Sequence, residues 1–274
     1  MHDLHTHSLC SDGILRPQAL VSRAKMQGVT VLALTDHDTV VGLEEAREAA
    51  QVEGIQVLSG IEFSCLWNGI GIHIVGLNID PEHPEMQAAV ARQGESRENR
   101  AIQIGEKLAK AGIPGALEGA RAKAGDAVIG RPHFAQYLVE SGRVSSMNAA
   151  FKKYLGAGKV GDVKQVWPSV PVAVEWILAA GGVAVIAHPD KYKMTRTKLG
   201  RLIDDFTEAG GQAMEVISGY QTPDLTRNLA QIANKHGLYA SCGSDFHVPD
   251  QPWQELGNFS ALPPECRPVW ELWS

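Results

Sequence analysis

Two grammars of apolar and polar positions follow each other along this chain. Short, nearly continuous apolar runs, "VTVLALTDH" (residues 29–37) and "GIQVLSGIEFS" (54–64), each follow a stretch with helical spacing, "RPQALVSRAKMQG" and "GLEEAREAAQVEG". That βαβα order predicts a parallel sheet or barrel. "GIHIVGLNI" (71–79) comes soon afterwards, across "CLWNG", and reads as the hairpin partner or near neighbour of the preceding strand. From about Pro81 to Val166 the signals become helical, through "MQAAVARQGESRENRAIQIGEKLAKAG", "GALEGARAKAG", "RPHFAQYLVESGR" and "SSMNAAFKKYLGAG". The βα order then resumes with helices near 169–180, 198–209 and 223–236 and strands in "GGVAVIAHP", "AMEVIS" and "LYASCGSDFH". About seven strands result. The expected architecture is an α/β barrel formed by 1–80 and 167–274, interrupted by a helical cap over 81–166.

Composition narrows the class without naming a function. At 274 residues, with 44% hydrophobic and 20% charged positions, the chain is long enough for a sizeable core and too apolar for disorder. No window approaches the roughly 20 apolar residues of a membrane span, and the first residues lack the basic-then-apolar order of a signal peptide. A cytoplasmic protein with no membrane partner is expected. A net charge of -6 argues against duplex nucleic acid as a partner. The four cysteines, Cys10, Cys65, Cys242 and Cys266, are scattered without a C-x-x-C pair and read as buried thiols.

Candidate chemistry lies where strands end. His5, His7, His37, His73, His188 and His247 fall in or at the ends of predicted strands, as do Glu62 and Asp245, and Asp12 closes the turn after the first strand. Ligand sites in α/β barrels form at the carboxyl ends of strands, where the βα loops converge. Side chains two apart on a strand share a face, so His5 and His7 can chelate one ion, and Asp245 and His247 repeat the spacing. If the barrel closes, the last strand lies beside the first and the two pairs face each other. Six imidazoles and three carboxylates on one rim are electrostatically poor without cations, and bound divalent metals resolve the conflict.

These motifs, "HTH…SDG", "TDHD", "GIEFS" with the later His73, "AHP" and "GSDFH", appear in the order found in the polymerase-and-histidinol-phosphatase (PHP) phosphoesterases, which the chain resembles from residue 2 to about 247. The resemblance implies a distorted (β/α)7 barrel with a metal cluster at its C-terminal rim. It implies that His5, His7, Glu62 and Asp245 hold one metal. Glu62, His73 and His188 hold a second, and Asp12, His37 and His247 match the third site of trinuclear relatives. Some relatives have histidine where this chain has Asp12, which leaves that residue between metal binding and contact with substrate phosphate. Two or three divalent ions are implied, manganese first, with iron or zinc as alternatives.

Within the cap, "SRENRA" (96–101) and "GRPHFA" (130–135) are similar to the branch of 3′,5′-nucleoside bisphosphate phosphatases and 5′-to-3′ exoribonucleases. Arg97 and Arg100 are one helical turn apart, and Pro132 suits the first turn of a helix whose free N–H groups favour an anion. The expected reaction is hydrolysis of a nucleotide's phosphate monoester by metal-activated water. In the nearest case the 3′-phosphate leaves adenosine 3′,5′-bisphosphate to give AMP. Asp12, His37 and His247 are candidates for phosphoryl binding or leaving-group protonation, and Arg97, Asn99, Arg100, Arg131, His133 and Phe134 for holding the rest of the nucleotide. The alternatives are a histidinol- or sugar-phosphate phosphatase, an exonuclease on short oligoribonucleotides, an amidohydrolase-type C–N hydrolase and a non-catalytic module.

Overall fold

The computed structural model describes residues 1–163 and 167–273. One sheet holds seven strands in chain order: β1 (His2–Asp3), β2 (Val31–Leu34), β3 (Gln56–Trp67), β4 (Ile70–Leu77), β5 (Val183–Ile186), β6 (Ala213–Ser218) and β7 (Tyr239–Gly243). Neighbours are parallel except around β4, which runs antiparallel to both β3 and β5. The hairpin expected across residues 65–69 is therefore present, and its inverted strand is what distorts the barrel. The two edges meet beyond the ladders: Leu4 N–H donates to the Cys242 carbonyl (3.0 Å), Asp245 N–H to that of His5 (2.9 Å) and His7 N–H to that of Phe246 (2.9 Å). A Cβ on Gly243 would lie 2.5 Å from the Cβ of His5, so this close approach of last strand to first requires glycine.

Nine helices accompany the sheet among the described residues: α1 (Pro17–Met26), α2 (Leu43–Glu53), α3 (Pro84–Lys110), α4 (Ala116–Ala124), α5 (Arg131–Glu140), α6 (Met147–Ala150), α7 (Val170–Ala179), α8 (Arg196–Glu208) and α9 (Pro223–Lys235). A π turn (Phe151–Leu155) continues α6. The starts follow local chemistry. Proline occupies the first turn of α1, α3, α5, α7 and α9, where its missing N–H costs nothing, and the Thr195 and Thr222 hydroxyls accept the Lys198 and Leu225 N–H groups to cap α8 and α9.

Three packing regions matter for the site. Leu4, Ala33, Leu58, Val75, Val183 and Val185 fill the barrel's interior and amino end, where Val269 from the C-terminal tail joins them, fully buried. Helices α3 to α6 form a cap with its own core around Ile104, Leu108, Phe134, Leu138 and Leu155. The expected end of the insertion at residue 166 lies outside the described residues. Helix α3 links the two bodies. Its buried stripe begins with Met86 and Ala89 in the barrel's outer core, turns polar at Gln93, Arg97 and Arg100, and ends with Ala101, Ile104 and Leu108 in the cap core. Among the described residues, no helix is long and apolar enough to cross a membrane.

Candidate metal centre

All nine side chains expected at the rim converge there, around Glu62. This carboxylate is fully buried on β3, with Oε2 3.2 Å from His5 Nε2, 3.2 Å from His7 Nε2 and 2.9 Å from His37 Nδ1. Its Oε1 lies 2.9 Å from His73 Nδ1 and 3.0 Å from His188 Nε2. Asp245 Oδ1 approaches His5 and His7 Nε2 at 3.6 and 3.4 Å, and Asp12 stands nearer the mouth, 3.2 Å from His247 Nε2 and 3.8 Å from His37 Nε2. Three overlapping groups thus have the spacing of metal ligands: His5, His7 and Asp245; His37, Glu62 and His73; and His7, Asp12, His37 and His247. The backbone is bent to present them, for His188 and Asp245 both hold positive φ (28° and 53°), a strained state for residues with side chains. At Gly13 a Cβ would sit 2.4 Å from the His7 carbonyl oxygen, so the "SDG" turn that carries Asp12 folds only around glycine.

A second layer of acids, absent from the sequence expectations, orients this set. Glu215 on β6 accepts the Nδ1–H of His5 (2.7 Å) and the backbone N–H of His188 (2.5 Å), which turns His5 Nε2 toward the centre. Asp36 accepts the Ser8 N–H (2.7 Å), the Ser8 hydroxyl (2.6 Å) and the Ser11 hydroxyl (2.6 Å), and so shapes the loop bearing Asp12. Asp3 accepts the Ser244 and Gly257 N–H groups, pinning the turn before Asp245, while burial pushes its carboxyl up to about 6. His247 Nδ1 donates to the Asp245 carbonyl (2.9 Å) and leaves Nε2 facing Asp12. A charged residue inside the apolar run "AMEVIS" was the signal for Glu215.

The donor set fits divalent cations. His5 Nε2, both ring nitrogens of His7, His37 Nδ1, His188 Nδ1 and Glu62 Oε2 are buried without a hydrogen-bond partner. Leaving so many buried polar atoms unsatisfied is costly unless another group binds them. The charges agree. Burial alone would lower His7, yet the carboxylates of Asp245 and Glu62 raise it to about 10. Against the upward push of burial, the imidazoles of His37, His5 and His73 hold Glu62 well below the usual carboxylate range. Such a cluster takes up protons when alone, and a metal that accepts neutral imidazole and ionised carboxylate replaces them.

A cavity of about 460 Å³ runs from this centre, at Asp12, His37 and His73, to the cap arginines Arg97, Arg100 and Arg131. Arg100 is 8% exposed; burial, then the neighbouring Arg131 and Arg97, push its guanidinium down to about 9. Burial likewise lowers Arg131, whose Nη1 donates to the Leu155 carbonyl (3.2 Å). Three other expected residues do not line the cavity. Phe134 is fully buried in the cap core, where its ring supports α5. Asn99, two positions beyond Arg97, falls on the exposed side of α3. His133 is buried and its Nδ1 accepts the Gly130 N–H (3.0 Å), which makes it the cap of α5. Lys191 and Tyr192, not anticipated, complete the wall; Lys191 pairs with Asp245, and the Tyr192 hydroxyl accepts the His73 N–H (2.9 Å).

Comparison with known proteins agrees with this geometry. The family model for the PHP domain matches residues 3–102. The chain is 51% identical to a 5′-3′ exoribonuclease of Haemophilus influenzae, over 98% of each chain. It is 48% identical to the 3′,5′-nucleoside bisphosphate phosphatase of Chromobacterium violaceum, over 98% of this chain and 94% of the relative. A solved structure from the same species, named an amidohydrolase and holding sulfate but no metal, superposes with a TM-score of 0.92 at 47% identity, covering 99% of this chain and 95% of that one. With an imidazole and carboxylate rim on a seven-stranded barrel and full-length relatives of this similarity, the chain belongs to the PHP family.

Proposed function

We propose that this PHP phosphoesterase removes the 3′-phosphate of a nucleoside 3′,5′-bisphosphate. The observation that carries the reading is the single cavity that joins the carboxylate and imidazole centre to the guanidinium groups of the buried Arg100 and the half-buried Arg131. Such a space suits a ligand with two phosphates, one at each end. His5, His7, Glu62, His73, His188 and Asp245 would hold two divalent ions, manganese first, with a third at Asp12, His37 and His247. Bound there, the ions supply Lewis-acid polarisation of the phosphoryl group and a water acidic enough to act near neutral pH. Arg100 and Arg131 fix the remote phosphate, and that binding orients the reacting one. In a two-ion state, with the third position empty, His247 Nε2, 3.2 Å from Asp12 at the mouth, would pass a proton to the departing sugar oxygen.

The test is phosphate release in Mn²⁺ from nucleosides carrying a 3′-phosphate, a 5′-phosphate or both. The 3′,5′-bisphosphate should be preferred, and Arg131→Ala should raise KM for it alone. Equal turnover of all three, or an equal loss on every substrate in Arg131→Ala, sinks the clamp. A second reading, trimming of short oligoribonucleotides, is favoured by the H. influenzae relative's name and by the exposed Lys152 and Lys153 next to Phe151 on the cavity wall. Nucleotide products from a 5′-phosphorylated trimer would support it. C–N hydrolysis is disfavoured because Glu62, and no lysine, occupies the bridging position.

A further inference from the structure

Of the three cap arginines that line the cavity, Arg97 is bound differently from the others. Its Nε donates to Asp38 Oδ2 (2.7 Å), with Nη2 2.6 Å from the same oxygen. Nη2 also reaches the Ser64 hydroxyl (3.2 Å) and Nη1 the Ile129 carbonyl (3.4 Å). The other oxygen of Asp38 accepts the Ser64 N–H (2.7 Å) and the Gln93 side-chain amide (2.7 Å), whose nitrogen also donates to the Ser64 carbonyl (2.8 Å). Asp38 is fully buried and held at φ 55°, so a strained backbone is retained to aim this carboxylate at α3. An arginine engaged in this way has little left to offer a phosphate.

The attachment points on the barrel side are adjacent to one part of the metal centre. Asp38 follows His37, and its N–H donates to the Glu62 carbonyl (3.0 Å), next to the bridge between His37 and Glu62. Ser64 lies two residues after Glu62 and pairs directly with His73 across the β3–β4 hairpin. One carboxylate thus connects the cap helix to the backbone that positions His37, Glu62 and His73. His5 and Asp245 are set instead by Glu215 and Asp3, and the cap reaches that side of the rim through the Val128 N–H on the Cys10 carbonyl (3.2 Å), in the loop after His7.

We infer that the Asp38–Arg97 pair, with Gln93 and Ser64, links cap docking to metal binding, and that Asp38 and Arg97 are positioning residues for the His37, Glu62 and His73 group. The inference rests on metal being held at this centre and is independent of which phosphate is cleaved. Linkage is reciprocal: a docked cap tightens that metal, and the metal steadies α3.

The test is Mn²⁺ binding to the full-length protein by calorimetry, without substrate, in wild type, Asp38→Asn, Arg97→Met and the double variant. Amide hydrogen exchange over residues 84–110 is followed with and without Mn²⁺. Each single change should weaken the Mn²⁺ held by His37, Glu62 or His73 by about 10- to 100-fold, the range for residues that orient metal ligands. The double variant should be no worse than the more damaged single one, because both remove the same link. Mn²⁺ should slow exchange in α3 of the wild type and lose that effect in the variants. Identical Mn²⁺ isotherms in all four proteins, or losses that add, overturn the inference. So does an Arg97→Met protein that binds Mn²⁺ normally and loses only affinity for a bisphosphate, since Arg97 would then be a substrate ligand. Should a single variant leave a lone buried charge and fail to fold, Gln93→Leu takes its place, since it removes a donor to Asp38 without removing a charge. It should weaken Mn²⁺ in the same direction, and unchanged binding overturns the link.

Discussion

The two ends of the barrel are built on opposite principles. At the carboxyl end eight titratable side chains crowd around Glu62, several with a ligand atom that makes no hydrogen bond, in a region that is buried yet polar. At the amino end the tail lays Val269 among Leu4, Leu58, Val75 and Val183. There the Arg267 carbonyl accepts the Ala240 N–H (2.7 Å), and Trp270 stacks on His2 with ring centres 4.0 Å apart. Apolar packing at one end provides stability, and the other end spends part of it holding buried polar groups with unsatisfied ligand atoms together until a cation arrives. Activity and stability should therefore respond separately to mutation at the two ends.

The largest separation is expected from Glu62→Gln. Removing the central carboxylate charge should lower phosphate release by about 10³-fold, the scale of losing a main electrostatic stabiliser of phosphoryl transfer. Metal content by elemental analysis should fall with it. The melting temperature of the metal-free protein should change little, because packing at the amino end, and not this carboxylate, holds the barrel closed. A large drop in that temperature would show that the carboxyl end also carries stability and would break the comparison.

Glu215→Gln should come next, lowering metal affinity by roughly 10- to 100-fold as His5 loses the acceptor that fixes its tautomer. Titration with Mn²⁺ measures this directly. Unchanged affinity would mean that His5 is oriented by its backbone alone.

How much of each end could be read in the sequence follows from the physics of the two. The period of a strand put His5 with His7 and Asp245 with His247 on shared faces, and the convergence of strand ends placed His188 with them, whereas Glu62 and His73 sit inside β3 and the inverted β4, where only their motifs pointed to the site. The acids behind them were hidden for a definite reason. Asp36 and Asp38 flank His37 in "TDHD", and only the left-handed turn at Asp38 decides that one acid faces the Asp12 loop and the other faces α3. Arg97 and Arg100 looked equivalent because helical spacing places both on one face; it does not show that Asp38 waits beneath the first. Phe134 and His133 looked like substrate contacts through their motif, yet the first packs the cap core and the second caps α5. Nothing in the tail's own sequence says where it packs, since barrel closure alone tells Val269 which mouth to fill.

Val269→Ala tests the amino end. Losing two fully buried methyl groups beneath the barrel should cost roughly 2 kcal/mol, which for a chain of this size lowers the melting temperature by about 5 °C. Catalytic rate and Mn²⁺ affinity should stay at wild-type values. A parallel fall in activity would mean that strain passes through the barrel from plug to rim.

The smallest effect, and the finest probe, is the pH response of the stack between His2 and Trp270. Burial, and then the charge of the chain's amino terminus, lower the pKa of His2 from its ordinary 6.5. The folded state therefore resists a proton that the unfolded chain accepts. Between 6.5 and the lower folded value the unfolded state binds more protons, so stability falls as pH drops through that window and is flat above it. His2 is only half-buried and solvent screens the penalty, so the change should be small. His2→Phe keeps a ring against Trp270 and removes the titration. Relative to this variant the wild type should lose melting temperature between pH 6.5 and 5 and none between pH 7 and 8, with groups common to both proteins cancelling in the difference. A difference that is constant with pH would place the imidazole in effectively bulk surroundings, and the apolar seal at the amino end would then stop short of the first residues.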